Sequence, residues 1–263
     1  MEKGFTLIIP LYNKQDTIKL TLDSVLNNHG EYPFKCIIVD DDSTDGSSEI
    51  AEEYDMKYPD VFMYIKKKHH GNKTPSFARN LGIKLTETEY IGFLDADDEL
   101  CPGFIDKGCN FLDEHPEFTS YHTAYTIRCK DEEGNINETV RKYDNENVRT
   151  FLEYIMSNGP SMHFCAGIYR TELIRDCLFS DSFCEDTVFQ LKYIYKHEPI
   201  YVDNTVTNSI IYNTQYSDSK EWNKQRTNSK WNLEIYETLS KEIPDIIYGF
   251  RVDENDKLWC WDK

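Results

Sequence analysis

The sequence predicts an α/β domain: a mostly parallel sheet with helices on both faces, joined to a smaller region of mixed strands. Three observations carry that expectation. Short apolar runs rich in Ile, Val, Phe and Tyr alternate with segments of helical periodicity over about the first 100 residues. The runs are too continuously apolar to be half exposed, which is the mark of strands covered on both faces. A chain of 263 residues with 39% hydrophobic content can also bury a substantial core.

In chain order, FTLIIP (5–10), FKCIIVD (34–40), VFMYIK (61–66) and YIGFLD (90–95) read as strands. Between them, QDTIKLTLDSVLN places Ile18, Leu22, Val25 and Leu26 on one helical face, and GSSEIAEEYDMKY and TPSFARNLGIKL are also helical. Strand, helix, strand in repetition implies right-handed crossovers. Beyond Pro102, GFIDKGCNFLDEH is a helix, and FTSYHTAYTIRCK and NETVRKY form a hairpin or mixed-sheet extension around the turn-rich DEEGNIN. VRTFLEYIMSN is expected as a helix, MHFCAGIYR as a strand, EDTVFQLKYIYKH as a helix and VTNSIIYNT as a strand. The tail reads as a long amphipathic helix, SKEWNKQRTNSKWNLEIYETLSKEI, and a terminal hairpin, IIYGFRVDENDKLWCW. No internal repeat or linker interrupts the chain. It divides into one domain over 1–218, with halves 1–110 and 111–218, and a C-terminal helical extension over 219–263.

Composition excludes several classes. With 29 basic and 47 acidic residues the net charge is −18, which repels a phosphate backbone and argues against broad nonspecific nucleic-acid binding, a local basic groove aside. The eight cysteines form no C-x-x-C pair, so they are expected as reduced, mostly buried thiols of a cytoplasmic protein, ahead of a structural zinc site or a disulfide framework. The N-terminal apolar run is too short for a signal peptide, and no segment reaches the roughly 18 apolar residues of a membrane span. The chain is therefore expected to be soluble.

Ligands of parallel sheets bind outside the carboxyl ends of the strands, which directs attention to residues 10–13, 40–43 and 95–98. In EYIGFLDADDEL, helix capping accounts for Asp98 and Glu99 ahead of the helix near Pro102, but not for Asp95. Alternation turns Asp95 and Asp97 to one side, and oxygen ligands of this kind suit Mg²⁺ or Mn²⁺. In VDDDSTDGSSE a helix start explains Ser43 or Asp45 and Gly46, whereas Asp40, Asp41 and Asp42 exceed its needs. Carboxylates there can accept hydrogen bonds from a base or ribose. No G-x-G-x-x-G follows the first strand and no Walker A sequence occurs, so dinucleotide oxidoreductases and P-loop enzymes lack their phosphate-binding element.

Four ordered motifs, IIPLYNK, IIVDDDSTDGS, GNKTPSFARNLGI and IGFLDADDEL, resemble the nucleotide-sugar half of glycosyltransferase family 2 over about the first 110 residues. FCEDTVFQLKYIY is similar to that family's later ED element, and SIIYNTQYSDS to a decayed form of its Tyr-containing segment. The resemblance implies a GT-A fold with a Rossmann-like sheet, a nucleotide-sugar half over 1–110 and an acceptor half over 111–218. It implies an inverting transfer of sugar from a nucleotide diphosphate sugar, a UDP-sugar in the first instance, with Mn²⁺ or Mg²⁺ on the diphosphate. Pro10 and Tyr12 would line the base pocket, Asp41 would face uracil or ribose with Asp40 as second partner, and Arg79 would reach the base or diphosphate. Asp95 would contact ribose or metal and Asp97 would hold the metal. Asp186 would be the general base and Glu185 would bind acceptor hydroxyls.

Read without the resemblance, Arg79 is a surface helix arginine in an ordinary salt bridge and Glu185 with Asp186 is an acidic helix start. His163 either lines the acceptor pocket or is a core histidine, with the core favoured. His69 and His70 are as readily solvent-exposed as catalytic. Trp222, Trp231, Trp259 and Trp261 pack a core, stack on sugar or form a contact between subunits. Many family members carry Arg and His where this chain has Asn213, Thr214 and Gln215, which puts a third metal or phosphate contact there in doubt and keeps open a binding protein that has lost catalysis. A metal-dependent phosphohydrolase is the other alternative. The acceptor, whether glycan, lipid-linked sugar, protein or nucleobase, and the oligomeric state are left open.

Overall fold

The computed structural model describes residues 1–28, 30–68, 74–130, 133, 135–143, 150–151, 163–182, 185–213, 237–243, 250–252 and 258–260. The first half alternates as the periodicity requires: β1 (Glu2–Leu11), α1 (Ile18–Leu26), β2 (Phe34–Asp40), α2 (Ser47–Lys57), β3 (Phe62–Lys66), α3 (Ser76–Leu85) and β4 (Thr88–Phe93). A two-residue strand β5 (Glu99–Leu100) and helix α4 (Phe104–Glu114) follow. The second half contributes β6 (Ser120–Lys130), β7 (Ile136–Arg141), β8 (Gly167–Arg170), α5 (Glu185–Lys196) and β9 (Tyr201–Asn213), and the tail a small pair, β10 (Phe250–Val252) and β11 (Leu258–Cys260).

One nine-stranded sheet runs β3-β2-β1-β4-β8-β6-β9-β5, with β7 also pairing β6. The β3-β2-β1-β4 part is parallel. At β4 the sheet turns antiparallel, to β8 and from β8 to β6, while β6 and β9 are parallel. Burial of β1 explains why its sequence shows no alternation. Phe5, Leu7, Ile9 and Leu11 pack with Ile18, Leu22 and Val25 of α1, Ala51 of α2 and Phe104, Ile105 and Leu112 of α4. Ile8 points to the other face, where Ile83, Phe93, Tyr169, Phe189 and Tyr193 enclose it. Helix α3 sits so close to that face that a Cβ at Gly82 would lie 2.6 Å from Ile8 Cγ2.

Two expectations change. MHFCAGIYR is not one strand: Phe164–Ala166 forms a 3-10 turn, closed by the Ala166 amide donating to His163 O at 2.9 Å, and only Gly167–Arg170 joins the sheet. Asp98 and Glu99 do not start the next helix. Glu99 belongs to β5, paired with Ile210 of β9, and α4 begins after Gly103, whose φ of 79° is a left-handed conformation suited to glycine. The expected hairpins β6–β7 and β10–β11 are present. Most of the helix expected at VRTFLEYIMSN, most of the expected tail helix, and His69, His70, Thr214, Gln215, Trp222, Trp231 and Trp261 lie outside the described residues. Cys36, Cys101, Cys109, Cys129, Cys165 and Cys177 are free thiols. Among the described residues no helix is long and apolar enough to cross a membrane.

Candidate active site

The first two strand-end loops are built against each other. Beyond β1, Asn13 adopts φ 49°, which its short polar side chain tolerates, and its Oδ1 accepts from the Thr44 amide at 2.8 Å. The Asn13 amide donates to Ser43 Oγ at 3.0 Å and the Lys14 amide to Ser47 Oγ at 2.7 Å. Gln15 completes the clamp, its amide donating to Asp45 Oδ2 and its Oε1 accepting from the Gly46 amide, both at 3.0 Å. The pair of loops leaves Pro10 buried and Tyr12 48% exposed at the sheet's edge.

The aspartates after β2 separate by burial. Asp40 is fully buried; Oδ1 accepts from the Ser43 amide at 2.8 Å, and Oδ2 from Ser48 Oγ at 2.5 Å and Tyr64 OH at 2.6 Å. Burial alone would raise its pKa, but these donors outweigh it and hold the carboxyl below the usual range. Asp40 thus ties β2 to α2 and β3, and its oxygens are spent inside the loop instead of facing a ligand. Asp41, half-buried, follows it with its amide donating to Leu11 O at 2.9 Å.

Arg79 on α3 is 2% exposed. Its Nη2 donates to Asp95 Oδ1 at 2.8 Å and its Nη1 to Glu185 Oε1 at 2.9 Å. The guanidinium lies over the Phe164 ring at 4.3 Å and near the Phe179 ring at 5.2 Å. It is neither a surface arginine nor one open to the cleft. It joins the loop after β4 to the start of α5. Burial pushes the Glu185 carboxyl up to about 7, the charge of Asp186 adding to the rise and Arg79 opposing it.

The four acidic residues of LDADDEL take four environments. Asp95 and Asp97 have side chains 30% and 27% exposed, and Asp97 Oδ2 accepts from Lys14 Nζ at 2.6 Å. Asp98 is 4% exposed and accepts from the Tyr212 amide at 3.1 Å. Burial and then the charges of Asp95 and Asp97 raise its pKa well above the carboxylate range. Glu99 accepts from Arg128 Nη1 at 2.9 Å and from Tyr212 OH. Tyr212, from the segment that departs from the family pattern, therefore buttresses the acidic loop through both its backbone and its hydroxyl.

At the start of α5, Asp186 Oδ1 accepts from the Thr187 amide at 2.6 Å, and Oδ2 takes no hydrogen bond among the described residues. His163 is half-buried, its ring 5.4 Å from those of Tyr125 and Phe164. The donor set at Asp95 and Asp97 fits a divalent cation: two part-exposed oxygen donors, each already drawn to a cationic side chain, and Lys14 sits on a long flexible stem that can yield its place. Lys14 and Tyr212 carry no role in the sequence reading, although the motifs IIPLYNK and SIIYNTQYSDS contain them.

Comparison with known proteins agrees with this geometry. The family model for "Glycosyl transferase family 2" matches residues 6–178. The minor teichoic acid biosynthesis protein GgaB of Bacillus subtilis is 40% identical over 112 residues, 42% of this chain and 12% of that protein. GgaA of the same organism is 30% identical over 197 residues, 70% of this chain and 42% of that protein. The chain thus spans less than half the length of either relative. Among solved structures, S. aureus TarS 1-349 in complex with UDP-GlcNAc superposes with a TM-score of 0.66 at 22% identity, over 91% of this chain and 66% of that one. A mannosyltransferase from Pyrobaculum calidifontis, in complex with GDP-Man and Mn²⁺, gives 0.62 at 14% identity, over 97% and 67%. The fold is that of the GT-A glycosyltransferases.

Proposed function

The chain belongs to glycosyl transferase family 2, and from that premise we propose that it moves a sugar, with inversion, from a uridine diphosphate sugar to an acceptor hydroxyl. The observation that carries this reading is the convergence of three strand-end loops at one edge of the sheet, where Asp95 and Asp97 are part-exposed beside the start of α5. Tyr12 offers a ring face to the base and Asp41 a carboxylate to the uracil or ribose. Asp97, with Asp95, would hold Mn²⁺ or Mg²⁺. When bound, that ion neutralises charge developing on the diphosphate leaving group. Support for a uridine donor and a divalent ion comes from the complexes of the two structural neighbours.

Asp186 takes the proton from the attacking acceptor hydroxyl at Oδ2, the oxygen not spent on the helix turn. A single in-line displacement then inverts the anomeric centre. Arg79 acts by position: it orients Asp95 towards the donor and Glu185 towards the acceptor. Residues 1–218 form the transferase domain and 219–263 a C-terminal extension. A metal-free sample screened by thermal shift against diphosphate sugars, with and without Mn²⁺, tests the reading. A uridine diphosphate sugar with Mn²⁺ should raise the Tm, and Asp97→Asn should remove the metal-dependent part. Silence towards every diphosphate sugar would overturn it. Asp186→Asn should keep the shift while slowing donor turnover by at least about 100-fold; unchanged turnover removes Asp186 as base.

A further inference from the structure

Below the acidic loop lies a second group of ligating side chains. One atom each of Asp98, His163 and Cys165, a carboxylate oxygen, a ring nitrogen and the sulfur, lie within 4.8 Å of one another. The three come from two distant segments: Asp98 from the turn before β5, His163 and Cys165 from the 3-10 turn before β8. That turn is what brings them in, because in an extended strand His163 and Cys165 would share a face two residues apart without closing on one point.

Two further observations separate this group from a chance cluster. Asp98 is 4% exposed, yet the Tyr212 amide is the only hydrogen-bond donor to its carboxylate among the described residues. A carboxylate so buried and so sparsely bonded, beside Asp95 and Asp97, calls for a proton or a cation. Cys165 is fully buried; burial and then the charges of Asp95 and Asp98 hold its thiol well above the usual range, and the Asp95 backbone amide donates towards its sulfur, so an ion bound there must displace the thiol proton. The contrast is with Asp176, Cys177 and His197. That group also lies within 4.8 Å, but Asp176 is 59% exposed and is already answered by His197 Nε2 at 2.9 Å.

We propose that Asp98, His163 and Cys165 form a site for a borderline-soft divalent transition metal, Zn²⁺ in the first instance, distinct from the oxygen-donor site of Asp95 and Asp97. Thiolate and imidazole ligands select Zn²⁺ over Mg²⁺ or Mn²⁺, and three protein ligands leave a fourth position for water. Ligand atoms around tetrahedral zinc sit about 3.5 Å apart, so a closure of roughly 1 Å completes the shell. As the sulfur–metal bond forms, the Cys165 thiol proton passes to solvent. The bound ion pins the acidic loop to the turn that carries Phe164, and so stiffens the support beneath Arg79. The inference does not rest on the donor reading and survives its failure.

The test is titration of the chelator-stripped full chain with Co²⁺ as a spectroscopic substitute. One equivalent should bind with a near-ultraviolet thiolate-to-metal charge-transfer band, and Zn²⁺ should displace it and raise the Tm. Cys165→Ser should abolish the band, and Asp97→Asn should leave it intact. His163 is half-buried, so His163→Ala is the variant that keeps the fold if Cys165→Ser does not; it should weaken Co²⁺ binding by at least about tenfold. No thiolate band in the wild type, a band that survives Cys165→Ser, or unchanged affinity in folded His163→Ala would each overturn the proposal.

Discussion

Arg79 has almost no contact with water, and among the described residues its charge is paired with Asp95 and Glu185. Breaking such a group from one side is costly because the carboxylates stay behind. Arg79→Met is expected to lower the unfolding free energy by about 3–5 kcal/mol in denaturant titration. Glu185 gives a second expectation. Its pKa is raised to about 7 in the fold, mainly by burial, against an ordinary value of 4.5. Its contribution to stability is therefore complete below about pH 4.5 and is lost as the pH rises through about 7. Relative to the wild type, Glu185→Gln should gain stability between those limits, and a pH-independent difference in unfolding free energy would refute this. The α/β pattern placed Asp95 and Asp97 at the end of a strand, while Arg79 and Asp186 were legible only through the family resemblance. Neither showed that Arg79 is enclosed, or that Asp40 is spent on Ser43, Ser48 and Tyr64, because such partners are set by packing between distant segments.

At the level of elements, α3 owes its position to the absence of a side chain at Gly82. With Ile8 Cγ2 2.6 Å from where a Cβ would stand, Gly82→Ala must push α3 off β1 and carry Arg79 with it. A loss of about 1–3 kcal/mol is expected in thermal or chemical unfolding, together with weakened donor binding. On β6, His122 is fully buried beside Ser120 Oγ at 2.9 Å, and burial pushes its pKa down to about 3. A histidine held neutral supports the fold above its ordinary value of 6.5, and that support is lost as the pH falls from there towards 3, by up to about 1.4 kcal/mol per pH unit. Acid unfolding should flatten in His122→Gln over that range. The strands and helices of the first half were legible because their apolar periods are long and regular. The turn at Phe164–Ala166 was not, since its apolar run is equally consistent with a strand and its packing against Arg79 comes from a segment distant in sequence.

For the molecule as a whole, the tail segment 237–243 is bound to the body. Leu239 and Ile243 are 2% and 6% exposed, and Lys192 of α5, itself 6% exposed, meets Glu242 at 2.5 Å. A chain ending at residue 218 would leave Lys192 without that carboxylate and uncover the apolar contacts. It is expected to unfold at a clearly lower temperature than the full chain, and an unchanged Tm would show the extension to be separable. Arg79 has a consequence at this scale too, because in the proposed mechanism its two carboxylates, Asp95 and Glu185, serve donor and acceptor respectively. On that proposal a cation shared between them would make the arrival of one substrate change the site awaiting the other. By thermodynamic reciprocity, the factor by which nucleotide tightens acceptor binding must equal the factor by which acceptor tightens nucleotide binding. The signature is in equilibrium binding: nucleotide and acceptor should each lower the other's Kd by the same factor.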